Sequence, residues 1–388
     1  MTEFNYYQPT EIRFGPGRLN EVGETVAGYG KNCLLVTGSN IPSLEPMFTQ
    51  LLSSLREADV TVVHFDGVIP NPTTNTIKDG AMMAKTNNVD VVLGVGGGSS
   101  MDSAKAIAVE ASHDGSAWDY LFYKNTQPTE KTLPIITVST TSGTGSQVTQ
   151  VAVITNSQKR DKSAIYHPNV YPRISIVDPE LMISVPPKIT AATGFDVFCH
   201  AFESMLHPAA SLYTDLMAKE AITLVFCHLK VAMEKPTDIV SRSALAWADT
   251  LAGLCIANAG VTLPHGIGMA IGGMYPHVMH GETLALNYPA FTRFTYEDAV
   301  SQFSFLGRIL NGTLGNDPDE KAAENACDEL DNFLQRIEMW YGLSDFDIPE
   351  DELDDLAEQS LVLPDYKNNP KIPTLDETKA LLLSCVSR

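Results

Sequence analysis

The sequence predicts an N-terminal α/β domain with a mainly parallel sheet, followed by an all-α C-terminal domain. Two observations carry this reading. Short apolar runs alternate with helix-periodic runs over the first half of the chain, the pattern of a parallel sheet covered on both faces. After about residue 180 the strand-like runs nearly vanish and helix-periodic segments follow one another. Two prolines in SVPPKIT, residues 184–190, interrupt the pattern between the two regimes. The expected domains are residues 1–184 and 185–388.

The elements follow in order. NCLLVTG, residues 32–38, is an apolar run ending at glycine and reads as a buried strand. A helix-periodic stretch, 41–57, follows it. VTVVHFD at 60–66 reads as a second strand, and the loop VIPNPTT leads into an amphipathic helix over 73–88. DVVLGV at 90–95 is a third strand, closed by GGGSS and the helix MDSAKAIAVEA. LPIITVS at 133–139 and ISIVD at 174–178 complete the strands. Beyond the prolines come the helical stretches TDLMAKEAITLVFCHLKVAMEK and VSRSALAWADTLAGLCIANAG, then acidic helix-periodic segments from 296 onwards. DFDIPEDELDDLAE reads as a solvated helix face with its entry loop.

Composition excludes some partners. Forty-seven acidic residues against 26 basic ones give a formal net charge of -21, which repels phosphate backbones and anionic membranes. Neither nucleic acid nor membrane is therefore expected as a partner. The six cysteines are scattered with no CxxC, as expected of free thiols in a reducing compartment. The N-terminus carries no basic stretch followed by an apolar run, and no uninterrupted apolar run approaches membrane-spanning length. A soluble cytoplasmic protein is the expectation.

Two loops follow neighbouring strands. GVGGGSSMDSAK, residues 94–105, places side-chain-free residues before a helix N-terminus, where backbone N–H groups and the helix dipole suit a diphosphate. Ser99 and Asp102 also fit a capping box, and an isolated glycine run is more often just such a tight capped turn. It is not a full GxGxxG, because Ser99 stands at the third glycine. STTSGTGSQVT, residues 139–149, is dense in hydroxyls at a strand's C-terminal end, where open α/β sheets bind ligands. Together the loops point to a phosphate-bearing cofactor lying across that edge.

GFDVFCHAFE, residues 194–203, sets Asp196 and His200 four apart, on one helix face about 5–6 Å from each other at Cβ. An isolated pair of this kind is more often an exposed helix-supporting contact. However, LPHGIGMAIGGMYPHVMHGE, residues 263–282, holds His265, His277 and His280, three of the chain's nine histidines. One aspartate with two or three histidines suits Fe²⁺ or Zn²⁺ better than oxygen-preferring Mg²⁺ or Ca²⁺. His167, His207 and His228 lie next to proline or lysine and read as incidental.

PNPT beginning at Pro70, GGGSSMDSAK at 96–105, STTSGTGSQVT at 139–149, VDPEL at 177–181, ATGFDVFCHAFES at 192–204, and NAGVTLPHG with MHG between 258 and 281 together resemble the iron-containing (group III) alcohol dehydrogenase family along nearly the whole chain. The resemblance implies a Rossmann-like nucleotide-binding domain and a helical domain, with the active site in the cleft between them. It places the metal ligands on Asp196, His200, His265 and His280, the last chosen because HGETLALNYP matches the local family context. His277 is left as a proton relay or a group behind the ligands. Met269 stands where some relatives carry a further histidine.

The resemblance assigns the diphosphate to Gly97, Gly98 and Ser99, with Asp102 in the same motif, and cofactor-side hydroxyls to Thr140, Thr141 and Thr144. Lys162 matches a lysine near the nicotinamide ribose, with a catalytic role beside its binding one, and Asn71 matches a position near the adenosine ribose. Ser139 replaces a usual proline and Gln147 a usual glutamate. NAD-preferring relatives often end the first strand with aspartate, which would repel a 2′-phosphate. Here Gly38 and Ser39 stand there, so NADP(H) is expected over NAD(H).

The activity implied is hydride transfer between nicotinamide C4 and a small alcohol or carbonyl compound polarised by Fe²⁺ or Zn²⁺, in a homo-oligomer of two or more chains. The apolar residues Met269, Ile271, Met274, Val278 and Met279 suit small aliphatic substrates and equally suit core packing. A dehydroquinate-synthase-like lyase is the alternative, weakened by few basic residues near the metal motif. A non-catalytic metal- or nucleotide-binding protein is more remote.

Overall fold

A computed structural model describes residues 3–39 and 44–388. The start of the helix expected from 41 lies outside the described residues; its body is α2, Glu45–Glu57.

Strands β2 (Asn32–Gly38), β4 (Val91–Gly96), β5 (Ile135–Ser139) and β8 (Ile174–Val177) are almost wholly buried, which explains their continuous apolar runs. With β1 (Glu11–Phe14) and β3 (Thr61–Val68) they form one parallel six-stranded sheet in the order β1-β8-β5-β4-β2-β3. Helices α1 (Val22–Ala27) and α2 pack on one face through Val22, Val26, Leu51 and Leu55. Helices α3 (Thr74–Thr86) and α4 (Gly98–Ser112) pack on the other through Ile77, Ala84, Ala104 and Ile107. The chain runs outward from β2 to β3, then returns to lay β4 on the other side of β2. That reversal opens a crevice beyond the C-terminal ends of β2 and β4, where open α/β sheets bind ligands.

Strand β1 and the antiparallel hairpin of β6 (Val151–Asn156) and β7 (Asp161–Tyr166) have no counterpart in the expected elements. β1 is a four-residue edge strand with no fully buried residue, so it carries no apolar period. The hairpin turns at residues 157–160, with Arg160 at φ 49°, and lacks the Asn-Gly or Asp-Gly signal of a tight hairpin. It stands outside the main sheet, packed against α4.

Pro186 caps α5 (Pro187–Leu206), and Pro187 occupies the first helical turn, where its missing N–H costs nothing. α6 (Leu212–Glu234), α7 (Ile239–Asn258), α8 (Leu263–Met274) and α9 (His280–Thr295) follow, then α10 (Val300–Leu310), α11 (Asp319–Arg336), α12 (Leu353–Ser360) and α13 (Leu375–Leu383). α5 is buried nearly all round, as its sequence demands. Phe195, Phe198 and Phe202 stack along it with centroids 5.6 and 5.9 Å apart. Among the described residues α7 alone is long and apolar enough to cross a membrane, and 67% of that window is buried, with α5 and α6 against it.

Candidate metal centre and dinucleotide cleft

The glycine turn after β4 is built for close approach. Gly96 has φ 145°, a region that side chains rarely enter. A Cβ on Gly98 would stand 2.4 Å from Thr144 Cγ2, and one on Gly97 3.0 Å from Thr141 Oγ1. The two loops therefore pack together with no room for a side chain. α4 starts at Gly98 with no side-chain cap, which leaves first-turn N–H groups for an anion. Gly98, Ser99 and Thr144 line a cavity of about 440 Å³. Thr140 is buried behind them, its N–H bonded to the Gly96 carbonyl. Gly38 and Ser39 lie at the end of neighbouring β2, with Ser39 exposed.

The expected Ser99–Asp102 capping box does not form. Asp102 turns instead to the opposite loop, accepting from Ser146 Oγ at 2.6 Å and the Val153 N–H at 3.1 Å. Both its oxygens are used within the protein, so it braces the crevice. Lys105, fully buried one turn later, donates to the carbonyls of Ser146, Thr149 and Val151 at 2.7–2.9 Å. Burial pulls its ammonium down to about 8, against the opposing pull of Asp102.

Asn71 and Lys162, expected near opposite riboses of the dinucleotide, are in direct contact. Lys162 Nζ donates to Asn71 Oδ1 at 2.9 Å, and Asn71 Nδ2 donates to the Pro276 carbonyl at 3.0 Å. Asn71 holds φ 52° to make both contacts. Both residues line the cavity. Burial brings the Lys162 ammonium down to about 8, with Asp102 and Asp196 resisting.

Three helices bring Asp196, His200, His265 and His280 together. The Nε2 atoms of His200, His265 and His280 lie 3.5, 3.6 and 3.9 Å from Asp196 Oδ1. Ligand atoms of Asp196, His265 and His280 all lie within 4.8 Å of one another; His200 joins that group through its approach to Asp196. Asp196 Oδ1 and His265 Nε2 are buried without a hydrogen-bond partner. Leaving such atoms unmade costs about 1–3 kcal/mol each, so convergent orphans mark a place for a cation. The protonation states of Asp196, His200 and His280 agree. Burial raises the Asp196 carboxyl, but the surrounding imidazoles outweigh it and hold it at about 2. Burial lowers His200 and His280, leaving neutral donors. Burial also lowers His265, but Glu203 and Asp196 lift it to about 10, so a cation would have to displace its Nε2 proton.

His277 is not brought to the site. It is exposed, with Nε2 on the Phe346 carbonyl at 3.1 Å, because the turn after α8 directs it towards the short helical turn Leu343–Phe346, far along the chain. His207, expected to be incidental, lines the cavity and accepts the Ala209 N–H at Nδ1. Ile271, Met274 and Val278 belong to the helical core. Of the expected residues Met269 lines the cavity, and the rest of the apolar wall comes from Val151, Val153, Ile256, Val261 and Leu363. Asp365 also lines the cavity, and burial raises its carboxyl to about 6; no local signal at 365 announces it. Glu203, which bonds His265, was not singled out from the sequence; its spacing in the stripe 196, 200, 203 puts it on the same helix face but does not name its partner.

Asp249 on α7 ties the hydroxyl-rich loop to the helical half, accepting from the Gly145 N–H and Gln147 Nε2, each at 2.8 Å. Gln147 thus donates where a glutamate would oppose a second carboxylate. Burial lifts the Asp249 carboxyl to about 7. Between the ordinary carboxylate range and that value, the folded chain holds a proton that the unfolded chain has released. Stability is therefore lost as pH rises through this window. Asp249→Asn removes the dependence, its amide donating to the unpartnered Gln147 Oε1 once that side chain turns over. Between about pH 5 and pH 8 the wild type should lose about 3 kcal/mol relative to the variant. Denaturant melts check this, and parallel pH curves for the two proteins would contradict it.

Residues 9–179 match the family described as iron-containing alcohol dehydrogenase, and residues 190–386 match its C-terminal counterpart. The NAD-dependent methanol dehydrogenase of Bacillus methanolicus is 30% identical over 379 residues, 97% of this chain and 98% of that protein. The 1,3-propanediol dehydrogenase of Klebsiella pneumoniae is 31% identical over 380 residues, 97% of each chain. Among solved structures, an archaeal halo-thermophilic alcohol dehydrogenase from a Red Sea brine pool aligns with a TM-score of 0.94, 33% identity and 100% coverage of both chains.

Proposed function

The chain belongs to the iron-containing alcohol dehydrogenase family, and from that premise we propose that Asp196, His200, His265 and His280 hold its divalent metal, facing a dinucleotide seated on Gly97, Gly98 and Ser99. The protein is an alcohol oxidoreductase that uses a metal and a nicotinamide cofactor. The observation that carries the site assignment is the convergence of three Nε2 atoms on the orphaned Asp196 Oδ1, in the same cavity as Gly98 and Ser99. In this reading residues 1–184 carry the nucleotide and 185–388 the metal.

When bound, the cation supplies Lewis acidity at the substrate oxygen and the nicotinamide accepts or returns the hydride. The chain's own part is positional. Lys162, held by Asn71, offers a cationic donor to the nicotinamide ribose, and Asn71 acts with it. Thr141 and Thr144 keep the two loops closed against each other, and Thr140 supports them from behind. Val151, Val153, Ile256 and Leu363 exclude water and favour small uncharged alcohols and aldehydes. His277 has no role in this scheme. The metal is Fe²⁺ or Zn²⁺, since a mixed Asp/His set accepts either. A homo-oligomer belongs to the same proposal, supported by the open backbone edge of β1.

The finer cofactor preference is for NADP(H), because no carboxylate stands at Gly38 or Ser39 to repel a 2′-phosphate and Ser39 is exposed at the strand end. A panel of aliphatic aldehydes with protein loaded with Fe²⁺ or Zn²⁺ tests both levels. Consumption of reduced cofactor should depend on the metal, and kcat/KM should favour NADPH by at least about tenfold, 1.4 kcal/mol. A clear NADH preference overturns the cofactor assignment, while metal-independent turnover overturns the centre.

A further inference from the structure

Helix α5 carries three ionisable groups at one helical spacing, and only two of them reach the proposed centre. Asp196 and His200 point to it; Glu203, seven residues after Asp196, is fully buried one turn beyond. Glu203 Oε1 lies 2.8 Å from His265 Nδ1, and Tyr288 OH approaches the same oxygen at 3.3 Å. Oε2 takes the Thr262 N–H at 2.9 Å and the Thr262 hydroxyl at 3.3 Å. Thr262 is the N-cap of α8, and its own side chain makes no capping bond there. One carboxylate therefore joins α5, α8 and α9, the three helices that carry Asp196, His200, His265 and His280.

The three imidazoles are not held alike. His200 Nδ1 is buried with no hydrogen-bond partner, and His280 Nδ1 has only the Thr283 hydroxyl at 3.5 Å. His265 alone among them meets a carboxylate at Nδ1. Since an ionised carboxylate can only accept, Nδ1 must carry the proton. The other nitrogen, Nε2, is directed towards Asp196 and has no hydrogen-bond partner, so a cation there would replace any proton on it.

We propose that Glu203 is a positioning residue for the metal centre, fixing the tautomer and ring orientation of His265 and supplying the second negative charge that, with Asp196, balances a divalent cation. The proposal rests on the metal-site reading above and goes beyond it, because Glu203 donates nothing to the cation itself. Such outer carboxylates raise the basicity of the imidazole they hold, and their loss typically weakens metal binding by about 10–100-fold.

Glu203→Gln separates this role from packing. Glutamine has nearly the same shape, but it has one acceptor and one donor where glutamate has two acceptors. If its oxygen faces His265, its amide opposes the Thr262 N–H. If its oxygen faces Thr262, its amide donates to His265 Nδ1, which moves the ring proton to Nε2 and blocks ligation. The full-length protein is stripped with a chelator, and Zn²⁺ affinity is read by competition with a chromogenic chelator, with Co²⁺ absorption as an independent signature of the ligand field. Glu203→Gln should bind Zn²⁺ about 10–100-fold more weakly and alter the Co²⁺ spectrum. Tyr288→Phe, which removes the long 3.3 Å donor to Glu203 and a contact with the Cys199 thiol, should change affinity less than about threefold. A folded Gln variant with wild-type Zn²⁺ affinity and spectrum overturns the proposal, even if it melts earlier. Equal losses in both variants overturn it too, because they would mark a packing effect. Failure of the wild type itself to bind either metal would instead overturn the centre.

Discussion

His265→Ala should abolish turnover and metal retention together, lowering kcat/KM by at least about a thousandfold, some 4 kcal/mol of transition-state stabilisation. The variant removes one of four convergent donors and leaves the Asp196 oxygen with two imidazoles. It should still fold. Glu203, the group that loses its partner, retains the Thr262 N–H, the Thr262 hydroxyl and Tyr288 OH as donors, so its charge is not stranded. Elemental analysis of the purified variant, beside steady-state rates and a thermal melt, checks the three parts. Full turnover by a demonstrably metal-free sample would contradict the assignment of chemistry to this centre.

Gly98→Val should be nearly as damaging, through the other half of the cleft. Its Cβ would begin 2.4 Å from Thr144 Cγ2 and 2.8 Å from Thr144 Oγ1, so the hydroxyl-rich loop must move or α4 must shift its first turn. The branched side chain would also intrude where Gly98 lines the cavity. Dinucleotide affinity should fall by about a hundredfold, 2.7 kcal/mol, with metal content unchanged. Binding titrated by quenching of protein fluorescence reads the effect. Gly28→Ala is the control, since a Cβ there meets nothing closer than the Thr25 carbonyl at 3.4 Å. If Gly98→Val binds dinucleotide as well as this control, the cradle lies elsewhere.

How far the site was readable from the sequence differs from one residue to the next. The glycine turn and the Asp196–His200 pair were legible because each is confined to one element: a strand-to-helix junction and a single helical turn. His277 and His280 show where such reasoning stops. Both lie in one short segment after α8, and periodicity alone does not distinguish them. Only the family context favoured His280. In the fold His280 begins α9 and faces Asp196, while His277 points out to Phe346. Asp102 shows the same limit. Its spacing from Ser99 suited a local cap, yet a loop 44 residues away offers the Ser146 hydroxyl. Asn71 shows it again: its contact with Lys162, 91 residues distant on a hairpin with no turn signal, has no local pattern to announce it.

The sequence by itself determined the layer architecture, the change from α/β to helix, and the kinds of side chain available for a metal and a dinucleotide. These follow from periodicity, turn chemistry and composition, which act over one element at a time. Tertiary structure alone decided which imidazoles share a centre, that Glu203 stands behind one of them, and which apolar residues wall the cavity. Those outcomes depend on how α5, α8 and α9 pack against one another and against the hairpin. Packing is set by the shapes of surfaces that lie far apart along the chain, and no local pattern encodes it.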